Sequence, residues 1–474
     1  MSVPSFQFVL AAIVVALLVN VTRDPRWRQA VMLVANCAFL ASFVTTPLAI
    51  VPLAGFLVFG FVAVRLLLAG HRRLFVGLLL VTLALFFWLK RYSFVPSSLF
   101  IDAPYVTIGL SYIFFRVAHL VIDAGQGALT GRLALLDYVN YTINFPCIVA
   151  GPIQMYPDWQ KGHDGRPDRR TITRAAERIV TGLFKVMVVS SLLDGFQTYL
   201  RAGLLAGGGD PAVIELAAAV VAIYPVYLYF NFSGYTDVVV GASALMGLRL
   251  PENFDRPFSA SNIIEFWNRW HITLSTWLRT YVYSPLLMTL IRRFPAPAMV
   301  STWTALCFFV TFFLVGAWHG QTSEYIMFGV LQGGGVSVNK LYQTAMARRL
   351  GRKPFRALSE NRAYSSVMRG FTFMWFAFTL LWFWGNWDLL ARLYAAPGAA
   401  RGAVALALVW LVATIVLDLL AHGRDLMIGV RVRGTALLAF PEMRAAKAGS
   451  MLFLLATFTI LLSAPPPPIV YKQF

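Results

Sequence analysis

Long stretches with almost no charge decide what this chain can fold into. Phe6–Asn20, Ala30–Phe43, Leu74–Leu89, Ile179–Leu193, Ala212–Phe230, Thr302–Ala317, Phe371–Trp384, Ala403–Leu420 and Met451–Leu462 are all of this kind. A helix crosses ~30 Å of hydrocarbon in about 17–25 residues, and several runs reach that length with their Thr, Ser and Trp ends included. Composition agrees: 58% of residues are hydrophobic and 13% charged, where soluble domains carry about 25% charged residues. The expected fold class is all-α, a polytopic membrane protein with about ten to twelve crossings. Phe6–Asn20 reads as a span and not a signal peptide, because no small-residue cleavage site follows it.

Lysine and arginine outnumber aspartate and glutamate by 40 to 21. In a soluble protein this excess would point to nucleic acid. Here the basic residues lie in short loops: Arg23, Arg26 and Arg28; His71, Arg72 and Arg73; Lys161 to Arg178; and Arg348 to Arg369. Such loops mark the cytoplasmic side and attract anionic headgroups, so membrane lipids are expected partners and nucleic acid is not. Alternating the sides from these loops places both termini outside. Lys90 and Arg91 fall on the outer side against the rule. Cys37, Cys147 and Cys307 are far apart in apolar surroundings, with no paired metal-ligand spacing, and read as small hydrophobes; no metal is expected.

No internal repeat suggests an inverted-repeat transporter. Two segments break the hydropathy pattern. Asp137–Gly151 is apolar yet carries Asn140, Asn144 and Pro146, and Arg249–His271 is too polar to span and too aromatic for an ordinary loop. Irregular backbone survives at membrane depth only when it lines a cavity or packs on protein, so both are expected to be re-entrant or interfacial elements around a central chamber.

Of six histidines, His71, His163 and His422 sit in polar or basic loops, and His119 lies in an apolar span near Arg116 and Asp123, suited to packing or to lining a path. His319 follows an uncharged span in Gly316-Ala317-Trp318-His319-Gly320. An ionisable group at that depth is costly and marks function by default; a neutral imidazole there suits a general base, the alternative being an interfacial histidine at a helix end. Around His271, Asn262 with Glu265 predicts a capped helix start, and Glu265 with Arg269 an i,i+4 pair. Ile264, Trp267, His271, Leu274 and Leu278 share one face at helical spacing, which predicts one amphipathic helix. A satisfied histidine in an interfacial aromatic belt fits the same pattern.

Four blocks in order carry a resemblance: IGLSYIFFRVAHLVID at 108–123, NFPCIVAGPIQ at 144–154, the stretch from Tyr229 to Leu287 containing WNRWHITLS, and GAWHG at 316–320. Together they resemble bacterial membrane-bound O-acyltransferases of the alginate-acetylation and teichoic-acid D-alanylation type. The resemblance implies a helical ring around a thinned centre, with a funnel that admits an acyl donor from the cytoplasm. It implies that His319 is the essential histidine, that His271 is the second catalytic position, and that Trp318, Trp267, Asn268 and Gln154 lie along the tunnel. Leu286-Leu287-Met288 stands where many acetylating members have Gly-Gly-Asn. Gln332 stands where many have a further histidine, and Asn268 is closer to the D-alanylation branch. Acetyl and D-alanyl both remain open.

The chain is thus expected to hold one membrane domain over 1–463, with its core signature at 108–340, followed by an outer tail at 464–474. In that tail Pro465–Pro468 form a stiff spacer of ~3.1 Å per residue before Ile469-Val470-Tyr471-Lys472-Gln473-Phe474. The ending resembles the C-terminal acyl-shuttle hexapeptide of these systems, with Tyr471 as acyl acceptor; an aromatic anchor at the interface is the plainer alternative. The resemblance further implies a bacterial inner-membrane location and no tightly bound cofactor. It implies a thioester co-substrate (acetyl-CoA or the phosphopantetheine arm of an acyl carrier protein) and an extracytoplasmic serine acyltransferase of the SGNH type as partner. The rival readings are a transporter or flippase of a lipid-linked envelope precursor, and a non-catalytic scaffold.

Overall fold

The structure is a computed structural model that describes residues 3–44, 46–92, 94–100, 105–129, 131–163, 165–206, 212–429, 431–432, 435–436 and 441–462. Almost all of it is α-helix. The helices are α1 (Phe6–Val19), α2 (Pro25–Ala41), α3 (Val51–Leu68), α4 (Phe75–Leu89), α5 (Leu110–Gln126), α6 (Leu135–Thr142) and α7 (Tyr156–Lys161). They continue as α8 (Arg169–Phe184), α9 (Ser191–Ala206), α10 (Val213–Leu245), α11 (Ile263–Arg269), α12 (Ile272–Leu278), α13 (Ser284–Arg293) and α14 (Val300–His319). The last are α15 (Ser323–Leu350), α16 (Arg352–Glu360), α17 (Arg362–Thr379), α18 (Leu381–Trp384), α19 (Trp387–Ala395), α20 (Gly398–Gly429) and α21 (Pro441–Leu462). Two two-residue strands, Arg431–Val432 and Thr435–Ala436, pair antiparallel.

Helix starts follow their side-chain acceptors. Asp24 takes the Arg26 N–H at 3.0 Å ahead of Pro25, Asp168 takes that of Thr171 at 2.8 Å, and Asn361 takes that of Tyr364 at 3.1 Å. Each satisfies a donor that the first turn leaves open.

Among the described residues seven helical stretches are long and apolar enough to cross a membrane: Pro47–Leu68, Arg72–Leu89, Arg169–Ala206, Val213–Leu245, Pro297–His319, Arg362–Trp384 and Gly398–Arg424. This is a multi-pass membrane protein. Two further apolar runs fall on shorter or charged helices: α1 has 14 residues, and α2 carries Arg26 and Arg28 in its first turn.

The chain forms two compact units: the described residues of Met1–Val186 and Phe232–Glu252 make one, and those of Met187–Asn231 and Asn253–Pro467 the other. In the first, α5 is buried from Leu110 to Ile122, and Phe114 stacks on Phe86 of α4 at 4.1 Å between centroids. The Asp137–Gly151 segment is irregular as expected: α6 stops at Thr142, successive turns follow, and 141–154 is buried throughout. Protein groups hold several of its polar atoms. Asn36 donates to Asn140 Oδ1 at 3.0 Å and accepts from Phe145 N at 2.8 Å, and Ala150 N donates to the Tyr235 hydroxyl at 3.0 Å. His119 is closed off in the same way. Its Nδ1 lies 3.1 Å from Asp123 and its Nε2 accepts from Tyr156 N at 3.0 Å, a hydrogen-bonding role that ties α5 to α7. Asp237 of α10 holds both Arg178, at 3.0 Å, and Lys185, at 2.6 Å. Cys147 and Cys307 are buried, but Cys37 is on the exposed side of α2.

In the second unit α14 and α15 form an antiparallel hairpin, and α17 packs on α20, where Asp418 pairs with Arg362 at 2.8 Å and accepts from Ser366 at 2.6 Å. This unit holds both candidate catalytic histidines.

Candidate active site

His319 is the last residue of α14, and a close helix pairing places it. A Cβ on Gly316 would fall 2.5 Å from the Cα of Gly329, and one on Gly329 would fall 2.8 Å from the Phe313 carbonyl oxygen. Only glycine lets α14 and α15 come this near. Gly320 packs against the ring of Tyr325 in the following turn. The imidazole is 2% exposed and sits among aromatic rings: Trp318 at 4.6 Å, Phe383 edge-on at 4.9 Å, and Phe328 at 5.9 Å.

A slot of about 170 Å³ opens beside α14. Phe308, Thr311, Phe312 and Val315 line it from α14, and Ile264, Trp267, Asn268, Leu274 and Leu278 from α11 and α12. The α14 residues follow the helical stripe of three and four, and the next member of that stripe is His319. The lining ends at Val315, one turn short of the imidazole. Asn268 and Arg279, which hydrogen-bond each other, stand on the same slot. Trp267 faces Phe312 at 4.9 Å.

His271 is held differently. The predicted cap forms, with Glu265 N donating to Asn262 Oδ1 at 2.9 Å, and so does the Glu265–Arg269 pair, at 2.8 Å. The Glu265 carboxylate, however, reaches back to Ser261 N at 3.1 Å and not to the cap residue itself. The expected single amphipathic helix is broken at Trp270 and His271. His271 adopts φ 44° and ψ 54°, a left-handed conformation, and α12 starts immediately after it. The segment 253–255 causes the break by pairing with 269–272: Asp255 N donates to Arg269 O at 3.0 Å and Ile272 N to Asn253 O at 3.0 Å. The Asn253 side chain then takes Thr273 N at 3.2 Å and Thr273 Oγ1 at 2.6 Å. His271 is 1% exposed, and burial pushes its pKa down to about 3, so the imidazole is neutral. A non-glycine residue held in this region costs about 1–3 kcal/mol and clusters at functional sites.

In the sequence Gln332 stands out by its place after the Gly316–Gly320 block. In the structure it is fully buried. It accepts from Trp267 Nε1 at 3.2 Å and donates to Thr379 Oγ1 at 2.7 Å, joining α11, α15 and α17 behind the slot. An uncharged amide in a glycine-rich stretch is a second signal for it. Gln154, expected on the tunnel, belongs to the other unit, where its amide donates to Arg249 O at 2.9 Å. Tyr471 and the proline spacer lie outside the described residues. The described residues contain no group of three His, Cys, Asp or Glu side chains placed to hold a metal ion.

Over 227 residues, 47% of its length, the chain is 32% identical to the teichoic acid D-alanyltransferase of Bacillus subtilis, covering 56% of that protein. It is 33% identical over 229 residues to the probable alginate O-acetylase of Pseudomonas aeruginosa, 48% of this chain and 41% of the relative. The corresponding protein of Azotobacter vinelandii is 30% identical over 292 residues, 61% of this chain and 53% of the relative. The chain spans about half the length of the curated relatives it matches. The family model for membrane-bound O-acyltransferases matches residues 56–383, a stretch that contains both His271 and His319. The chain belongs to the membrane-bound O-acyltransferase family.

Proposed function

We propose that this protein transfers a small acyl group, acetyl or D-alanyl, from a cytoplasmic thioester to an extracytoplasmic acceptor, with His319 as general base. The observation that carries the reading is the α14 stripe of Phe308, Thr311, Phe312 and Val315, which lines a narrow slot and leads to His319. At about 170 Å³ the slot is smaller than the ~300–1,000 Å³ of ordinary small-molecule sites. It suits the thin thioester end of a donor, acetyl-CoA or a carrier-bound phosphopantetheine, while the bulk stays outside.

In this mechanism the rings of Trp318, Phe328 and Phe383 part to admit the reactants. The neutral imidazole takes the proton of the Tyr471 hydroxyl as its oxygen attacks the thioester carbonyl. The C–O bond forms, the C–S bond breaks, and the imidazolium returns the proton to the leaving thiolate. Asn268 and His271 orient the donor and stabilise charge developing on the carbonyl oxygen. Tyr471, on the outer tail, then hands the acyl group to a serine acyltransferase that modifies an envelope polymer, so the carrier never crosses the inner membrane. Residues 1–463 act as the transferase and 464–474 as its attached shuttle.

Mass spectrometry of the C-terminal peptide, from cells that also express the partner enzymes, tests this. The expected result is an acyl adduct on Tyr471 whose mass names the group, absent in a folded His319→Ala variant. Labelling retained in that variant rejects the role of His319.

A further inference from the structure

A cavity of about 400 Å³ lies in the first unit, beneath the turn between α1 and α2. Arg23 and Arg28 face it, and Arg28 is anchored by the carbonyls of Met246 at 3.0 Å and Gly165 at 3.4 Å. Among the described residues no carboxylate lies within ion-pair distance of either guanidinium. Asp137, the one acid among the described lining residues, is held by Gln29 Nε2 at 2.9 Å. The cavity is therefore net positive.

Its floor adds a second, independent sign. Asn140 is satisfied by Asn36 and by Gln29 O, but Asn144, 3% exposed and also on the lining, has a side-chain oxygen with no donor. A buried acceptor left open is costly, and a ligand donor would remove that cost. Val19, Met32, Met246 and Leu248 supply an apolar wall. In the neighbouring basic cleft, by contrast, Arg178 is already paired with Glu252 and Asp237.

We propose that this cavity binds a phosphate ester that also carries a hydroxyl or amide donor, the phosphate on Arg23 and Arg28 and the donor on Asn144. Two sources share that chemistry: the headgroup of an anionic phospholipid such as phosphatidylglycerol, and a soluble pantetheine phosphate. The headgroup source is independent of the acyl-transfer reading, whereas the pantetheine source shares the chemistry of the donor named there.

Native mass spectrometry of the detergent-purified full chain tests it. Wild-type protein is expected to retain phosphatidylglycerol and to release phosphatidylcholine. Charge-assisted hydrogen bonds are stronger than neutral ones, so Arg23→Gln with Arg28→Gln should weaken retention about tenfold or more. Arg23→Glu, at an exposed position with no described side-chain bond, should do the same without risk to folding, and Arg26→Gln should change nothing. Displacement of the lipid by pantetheine 4′-phosphate assigns the site to the soluble ester; retention in its presence assigns it to the headgroup. Equal retention of both lipids together with no binding of the soluble ester overturns the proposal. So does unchanged phosphate-ester binding in Arg23→Glu and the double variant, or equal loss in Arg26→Gln.

Discussion

His319 and His271 are both withdrawn from solvent, but by opposite means. His319 ends an unbroken helix, and close packing positions it: glycines bring α14 against α15, and three rings enclose the imidazole. His271 sits at a break between two seven-residue helices, and hydrogen bonds from a distant segment place it, in a backbone conformation it would not choose. Packing between backbones is unforgiving of added volume but indifferent to pH. A hydrogen-bonded left-handed residue tolerates glycine but suffers when its partners are removed. The two sites should therefore fail under different substitutions.

The largest effect is expected at the helix pairing. In Gly316→Leu the new side chain meets the backbone of Gly329, which has nothing flexible to yield, so α14 must shift and carry His319 with it. A displacement of about 1 Å at a reacting group costs roughly 100-fold in rate, and acyl transfer should fall by at least that much. Gly334 lies on the same α15 with open space around it. Gly334→Ala should leave the rate unchanged and raise stability slightly, as helix propensity predicts, by up to about 1 kcal/mol. Equal loss in both variants would show that close backbone approach is not what sets Gly316 apart, and the contrast would lose its basis.

Next comes Asn253→Ala, which removes the acceptor of Thr273 N and Thr273 Oγ1. Leaving a buried donor unmatched costs about 1–3 kcal/mol, so thermal unfolding should show a loss of roughly 2 kcal/mol. Activity should fall with it, because the turn holding His271 loosens. Gln332→Leu should cost less, about 1 kcal/mol. It strands the Trp267 indole N–H, whereas Thr379 keeps its bond to Phe376 O at 2.9 Å. If Gln332→Leu proves as damaging as Asn253→Ala, the wall of the slot matters as much as the turn.

These contrasts also show what the sequence made legible. Charge-free runs announced the long helices, and Asn262, Glu265 and Arg269 announced the start of α11, because both signals act within a few residues. The break at His271 left no local trace. Ile264, Trp267, Leu274 and Leu278 keep a helical period across it and still line one slot, since the left-handed residue re-aims the chain without scattering that face. Its cause, the pairing of 253–255 with 269–272, is tertiary. The Gln332–Trp267 bond spans 65 positions and was beyond reach for the same reason. His319 stood out because an ionisable group following an uncharged run is conspicuous in any reading. The rings that enclose it come partly from Phe383, which nothing in the motif indicates.

The smallest effect separates the two histidines most cleanly. Burial pushes the folded His271 pKa down to about 3, while an unfolded histidine titrates near about 6.5. Between those values the unfolded chain binds a proton that the folded imidazole refuses, so stability is complete above about pH 6.5 and declines as the pH falls toward the folded pKa. His271→Gly should remove that part of the decline. Near neutrality it should alter stability by no more than about 1 kcal/mol, because glycine takes the left-handed conformation freely while losing the buried ring. Other histidines titrate in both proteins, so the readout is the difference between the two unfolding curves in detergent as the pH is lowered. A flatter curve for His271→Gly, with acyl transfer lost, would mean that the imidazole itself serves the reaction while its backbone strain works against the fold. An unchanged slope would mean that His271 is not held neutral against its own preference, and the distinction between a packed and a pinned histidine would fail at its weaker side.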